Sequence, residues 1–166
     1  MSTTENHSQR VPVAVIMERT ALKNRWVSEC WEAKGVVRDD APAGTPSRVI
    51  VETADRRQML FPGGEIRLQR HEAEGYYLNI TSPQPKVFVL WRMKEDGTPR
   101  PEMLTVSYNE GTRWADSGEQ VDGVALPPEL LGWIAAFVET HYEPEPPKRK
   151  RYATNRDRGR MGRIEP

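Results

Sequence analysis

GYYLNITSPQPKVFVLWR, residues 75–92, is the stretch on which the reading of the fold turns. Tyr76, Leu78 and Ile80 alternate with Tyr77, Asn79 and Thr81, the period-two pattern of a half-buried strand. Val87 to Trp91 is apolar on both faces, as a central strand is. Between them, Ser82-Pro83-Gln84-Pro85 holds two prolines with no amide hydrogen to donate, so a strand ladder has to stop there and reverse. The expectation is a β-hairpin at the centre of an antiparallel sheet.

Upstream, VPVAVIMER (11–19) sets Val13, Val15 and Met17 against Ala14 and Ile16 and predicts a first strand, with Pro12 tolerated at its opening. RWVSECWEAKGVV (25–37) alternates Trp26, Ser28 and Cys30 with Val27, Glu29 and Trp31 and predicts a second strand. Arg38 to Pro46 reads as a loop and Arg48 to Glu52 as a short strand. Arg56 to Phe61 then leads into a Pro62-Gly63-Gly64 turn, and Glu65 to Arg70 forms a further strand with Ile66 and Leu68 inward.

Downstream, Glu95-Asp96-Gly97 marks a reversal and Met103 to Tyr108 a last strand. Asn109 is placed to cap a short helical turn ending at Gly118, and Asp122-Gly123 reads as another turn. Pro127-Pro128-Glu129 opens a longer helix, because proline at the first position loses no bond and an acid favours the positive end of the dipole. Leu130, Trp133, Ile134, Phe137, Val138 and His141 then form one helical stripe that needs a sheet to pack on. The fold class expected is α+β, an antiparallel β roll or partly open barrel packed by a C-terminal α-helix.

The 166 residues contain no internal repeat and one long helical pattern, which predicts a single domain over residues 11–143. Residues 1–10 are polar, and residues 144–166 are Pro-rich and then basic, so both ends are expected to be disordered. The zero formal net charge hides an asymmetry. Residues 148–166 carry eight Lys/Arg and two Asp/Glu, a balance of +6, and the remainder carries sixteen and twenty-two, a balance of −6. No apolar run is long enough to span a bilayer, and MSTTENHSQR lacks the basic-then-apolar order of a signal peptide, so the expected location is the cytoplasm. The single Cys30 agrees with a reducing compartment.

Candidate chemistry is sparse. Cys30, alternating on a strand with Trp26, reads as a buried structural thiol. His71 with Glu72 and Glu74 has the residue types of a metal or acid-base site, but His7 and His141 are the only other histidines, and the better reading is a solvated turn. Pro62-Gly63-Gly64 is followed by no Lys-Ser/Thr and no helix, so it is no phosphate loop. Among five tryptophans, Trp91 and Trp133 read as core, and Trp114 in the polar stretch NEGTRWADSGE reads as an interface anchor beside Arg113. Lys148, Arg149, Lys150 and Arg151 form a basic run suited to phosphates or an acidic surface. No catalytic residue, metal or cofactor is expected.

MERTALKNRW (17–26), HEAEGYYLNITSPQPKVFVLWRM (71–93) and TVSYNEGTRWADSGEQVDGVALPPEL (105–130) resemble the signature blocks of a bacterial family, the domain-of-unknown-function family three-three-zero-five, over about Val11 to Glu145. Members are commonly encoded beside molybdenum-dependent formate dehydrogenases and their maturation factors, which by resemblance implies an accessory role. Some carry the label of molybdenum-cofactor guanylyltransferase. Such enzymes need a Gly-rich loop with a basic residue after the first strand, and here that position reads Ile16-Met17-Glu18-Arg19-Thr20-Ala21.

The functional expectation is a non-enzymatic accessory or assembly protein that binds a protein partner, formate dehydrogenase or a maturation factor, with no membrane association. The alternative is a nucleic-acid-binding regulator acting through the basic tail. Arg113, Trp114, Lys148, Arg149, Lys150 and Arg151 are the expected contact residues.

Overall fold

The computed structural model describes residues 9–21 and 29–144. The disorder expected at the two ends therefore falls, but for residues 9, 10 and 144, outside the described residues, as do Trp26, Val27 and Ser28. Two antiparallel sheets and three helices make an α+β fold. The first sheet contains β1 (Arg10–Ala21), β2 (Glu29–Arg38), β3 (Arg48–Glu52) and β4 (Arg56–Arg67) in the order β2-β1-β4-β3. A 3-10 turn (Arg70–Glu72) leads into α1 (Ala73–Ile80). The second sheet contains β5 (Lys86–Met93), β6 (Pro99–Thr105) and β7 (Gln120–Ala125) in the order β6-β5-β7, with α2 (Tyr108–Asp116) between β6 and β7. The helix α3 (Pro128–His141) comes last.

The sheets face each other, with β2 beside β7 and β4 beside β6, and they do not join into a closed barrel. Val13, Val15 and Met17 of β1 and Val87, Val89 and Trp91 of β5 meet in one core. Leu130, Ile134, Phe137 and Val138 of α3 are buried in it as the stripe requires, while Trp133 is only partly buried at its side. The helix lies against α1, where Tyr76 and Phe137 meet edge to face at 5.7 Å.

The expected hairpin is not formed. Residues 73–80 are helical, so only its second strand, β5, exists. Alternation in YYLNIT was a local signal that tertiary contacts override. Gly75 is buried with its Cα against Ser107, where any Cβ would collide with Ser107 Oγ. The Tyr76 hydroxyl accepts the Gln69 N–H at 2.8 Å, and burial pushes its pKa above the usual phenol value.

Four expected turns or strand bounds are also corrected. Pro62-Gly63 is a bulge inside the continuous β4: Gly64 pairs with Val13 and Phe61 with Val15, leaving one extra residue on β4, and Gly63 takes φ +86°. β4 ends at Arg67, so no separate strand runs to Arg70. Asp122-Gly123 lies within β7. There Asp122 Oδ2 accepts the Ala33 N–H of β2 at 2.9 Å and the Trp91 indole N–H at 2.7 Å, bridging the two sheets. β6 begins at Pro99 and stops at Thr105, before the Tyr108 expected to end it.

Phe137→Ala should destabilise the protein by about 3 kcal/mol or more, the usual cost of emptying a large core site. Asp122→Ala should cost about 3 kcal/mol, because two buried donors lose their shared acceptor. Urea denaturation midpoints check both.

Candidate functional site

The site expected around Arg113 and Trp114 is built on α2, and α2 is built on Ser107. Ser107 is the N-cap residue, with extended φ −87° and ψ 119°, and its Oγ accepts the Glu110 N–H at 3.1 Å. The expected cap, Asn109, sits instead within the first turn. Gly118, at φ +89°, follows the C-terminal cap Ser117 as the sequence predicts. Gly111 lets the helix lie directly on β5, since a Cβ there would come within 2.7 Å of the Phe88 ring.

The Ser107 hydroxyl donates to Glu72 Oε2 at 2.6 Å, and Glu72 is only 4% exposed. This corrects the solvated-turn reading: His71 and Glu74 are exposed, but the carboxylate between them points inward. Burying a carboxylate requires partners. The other oxygen, Oε1, accepts from the Arg113 guanidinium, and His71 Nε2 stands 3.9 Å away. Arg113 keeps 58% of its side chain exposed, so a buried anion pins one end of a guanidinium whose remaining donors face solvent.

A hydroxyl bonded to a carboxylate has the parts of an activated nucleophile, but Ser107 is completely buried. It cannot reach a substrate, and the pair serves to position α2 and Arg113. Trp114 is half-buried, with its carbonyl accepting the Ser117 hydroxyl at 2.8 Å, and Tyr108 at the start of the helix is 52% exposed. Beside Tyr108 an apolar cleft of about 320 Å³ is lined by Asn79, Pro83 and Phe88 among others.

Lys148, Arg149, Lys150 and Arg151 lie outside the described residues. Cys30 is exposed rather than buried, because its neighbour Trp31 takes the core-facing position on β2. His71 and His141 do line one cleft of about 520 Å³, with Arg70, Glu74 and Glu143. Among the described residues no group of three or more His, Cys, Asp or Glu is placed to hold a metal ion. No helix there is long and apolar enough to cross a membrane. The anchoring role of Ser107 escaped the sequence reading, although Ser107-x-x-Glu110 carries the spacing of a capping box.

Gly75→Ala should push Ser107 off Glu72 and cost about 2 kcal/mol, in the range of other overpacked sites. Thermal melts will report the loss. Faster amide exchange across Tyr108–Asp116 will report the loosened cap.

With this geometry described, comparison with known proteins adds one match. A family model described as protein of unknown function (DUF3305) covers residues 12–151. No curated protein and no solved structure matches the chain. The match takes in β1 from Pro12 onward and every later element through α3, including the Glu72 and Ser107 segments that hold α2, and the chain belongs to the DUF3305 family.

Proposed function

We propose that this chain is a non-catalytic accessory protein that docks a protein partner through α2, in support of a molybdenum-dependent formate dehydrogenase or its maturation. The observation that carries the reading is the preorganised Arg113, held by buried Glu72 beside the half-buried Trp114 on an exposed helix. Arginine, tryptophan and tyrosine are the residue types that dominate binding energy at interfaces, and a side chain already fixed loses less entropy on docking. The choice of partner rests on the gene neighbourhood that the family resemblance implies.

The test is a deletion strain grown on formate with ample molybdate. Active, cofactor-loaded formate dehydrogenase should fall while its transcript stays level. Complementation with Arg113→Gln plus Trp114→Ala should fail although the variant is folded, since glutamine can still donate to Glu72. A fall in the transcript would favour the regulator that uses the basic tail. Full enzyme activity in the deletion strain would defeat the accessory reading.

A further inference from the structure

The apolar cleft beside Tyr108 opens where the end of α1, the turn at residues 82–85, the start of β5 and the first residue of α2 meet. Phe88 and Tyr108 form two of its walls, crossing edge to face at 73° with ring centroids 6.3 Å apart, and Pro83 lines it beside them. The walls are held in place. Gly111 of α2 lies so near Phe88 that a Cβ would come within 2.7 Å of the ring, and a Cβ on Gly123 of β7 would meet Lys86 Cδ at 2.9 Å. Asn79 bonds both the N–H and the carbonyl of Lys86. A site fixed before its ligand arrives loses less entropy on docking.

The rim is polar and unpaired. Among the described residues the Lys86 ammonium, the Gln84 side-chain amide and the Tyr108 hydroxyl have no hydrogen-bond or ion-pair partner, and all three residues are exposed. Lys86 is the one charged residue of the lining, and no carboxylate stands beside it. The clefts at Arg70 and Arg100 differ, since acids and bases line each of those together.

The fold restricts what can enter. β5 is the central strand of β6-β5-β7, and past the end of β6 its free edge at Lys86 is filled by Asn79, so no peptide can add to it as a further strand. At about 320 Å³ the cleft holds one or two rings, not the i, i+4, i+7 row of anchors that an amphipathic helix lays down. A polyproline II segment meets both conditions. Its backbone makes no internal hydrogen bonds, so its carbonyls are free to accept from donors at a rim, and its proline rings pack on aromatic walls.

We propose that this cleft binds an acidic, proline-rich segment of the partner protein in the polyproline II conformation, with a proline ring against Phe88 and Tyr108 and a neighbouring carboxylate on Lys86. The unpaired Lys86 makes the site complementary to acid and repels base. Assignment of the segment to a partner protein rests on the docking reading of α2.

The test is calorimetric titration of the full chain with the peptide Pro-Pro-Glu-Pro-Pro-Glu, alongside Pro-Pro-Lys-Pro-Pro-Lys and Ala-Ala-Glu-Ala-Ala-Glu, with thermal melts of each variant to verify folding. The acidic proline peptide should bind saturably and more tightly than either control. Tyr108→Ala should weaken it by about tenfold, and Lys86→Glu should weaken it by about as much while reversing the preference toward the lysine peptide. Arg92→Gln removes an equal charge about 20 Å along the same strand and should change nothing. Residues 143–147 of the chain itself read Glu-Pro-Glu-Pro-Pro, so a full-length variant carrying Pro146→Ala and Pro147→Ala is titrated as well. Tighter peptide binding in that variant would assign the cleft to the chain's own segment and overturn the partner assignment. Absence of saturable binding, equal binding of the alanine peptide, unchanged affinity in both Tyr108→Ala and Lys86→Glu, or equal weakening in Arg92→Gln would each overturn the site. Peptide binding together with a normal deletion strain would remove the accessory reading and keep the cleft, whereas a defective strain without peptide binding would do the reverse.

Discussion

The side-chain amide of Asn79, 2% exposed, holds the centre of this molecule together. Its Nδ2 donates to the carbonyls of Lys86 at 2.7 Å and Val106 at 2.9 Å, and its Oδ1 accepts the Lys86 N–H at 2.9 Å. One residue near the end of α1 thus satisfies the backbone where β5 begins and where the chain leaves β6. Those carbonyl and amide groups lie past the last β5–β6 pair, Phe88 with Thr105, and an orphaned polar group there would be expensive. The position of α1 follows from this, and α1 in turn seats Tyr76 against Phe137 of α3 and Gly75 against Ser107.

The same economy explains α2. A nine-residue helix is too short to be stable alone, so it depends on its cap and its packing. Ser107 supplies the cap, Glu72 orients Ser107, and Gly111 brings the helix down onto Phe88. The result is a short helix on which Arg113 is tied to Glu72 and Trp114 is half-buried. The Glu72 cluster is satisfied from within.

Several parts of the fold were legible in residue order. β1, β3, β5 and the bulk of β2 follow from periodicity, and α3 follows from Pro127-Pro128-Glu129 and its stripe, because for these elements the burial pattern and the local preference agree. Arg113 and Trp114 were legible as a large aromatic and a cation in a polar stretch. What anchors them was partly legible, in the spacing of Ser107 and Glu110.

The sequence by itself determined the antiparallel α+β class, the C-terminal helix and its apolar face, since these rest on patterns within ten or fifteen residues. The tertiary structure alone decided the rest. Residues 73–80 became a helix because Gly75 and Asn79 meet Ser107, Lys86 and Val106 in space. Asp122-Gly123 stayed in a strand because Asp122 accepts from Ala33 and Trp91 on different strands. Glu72 went inward because Arg113, forty-one residues away, and Ser107 share its charge. Each of these outcomes depends on a hydrogen-bond partner or a close approach distant in the chain, and side-chain periodicity carries no information about either.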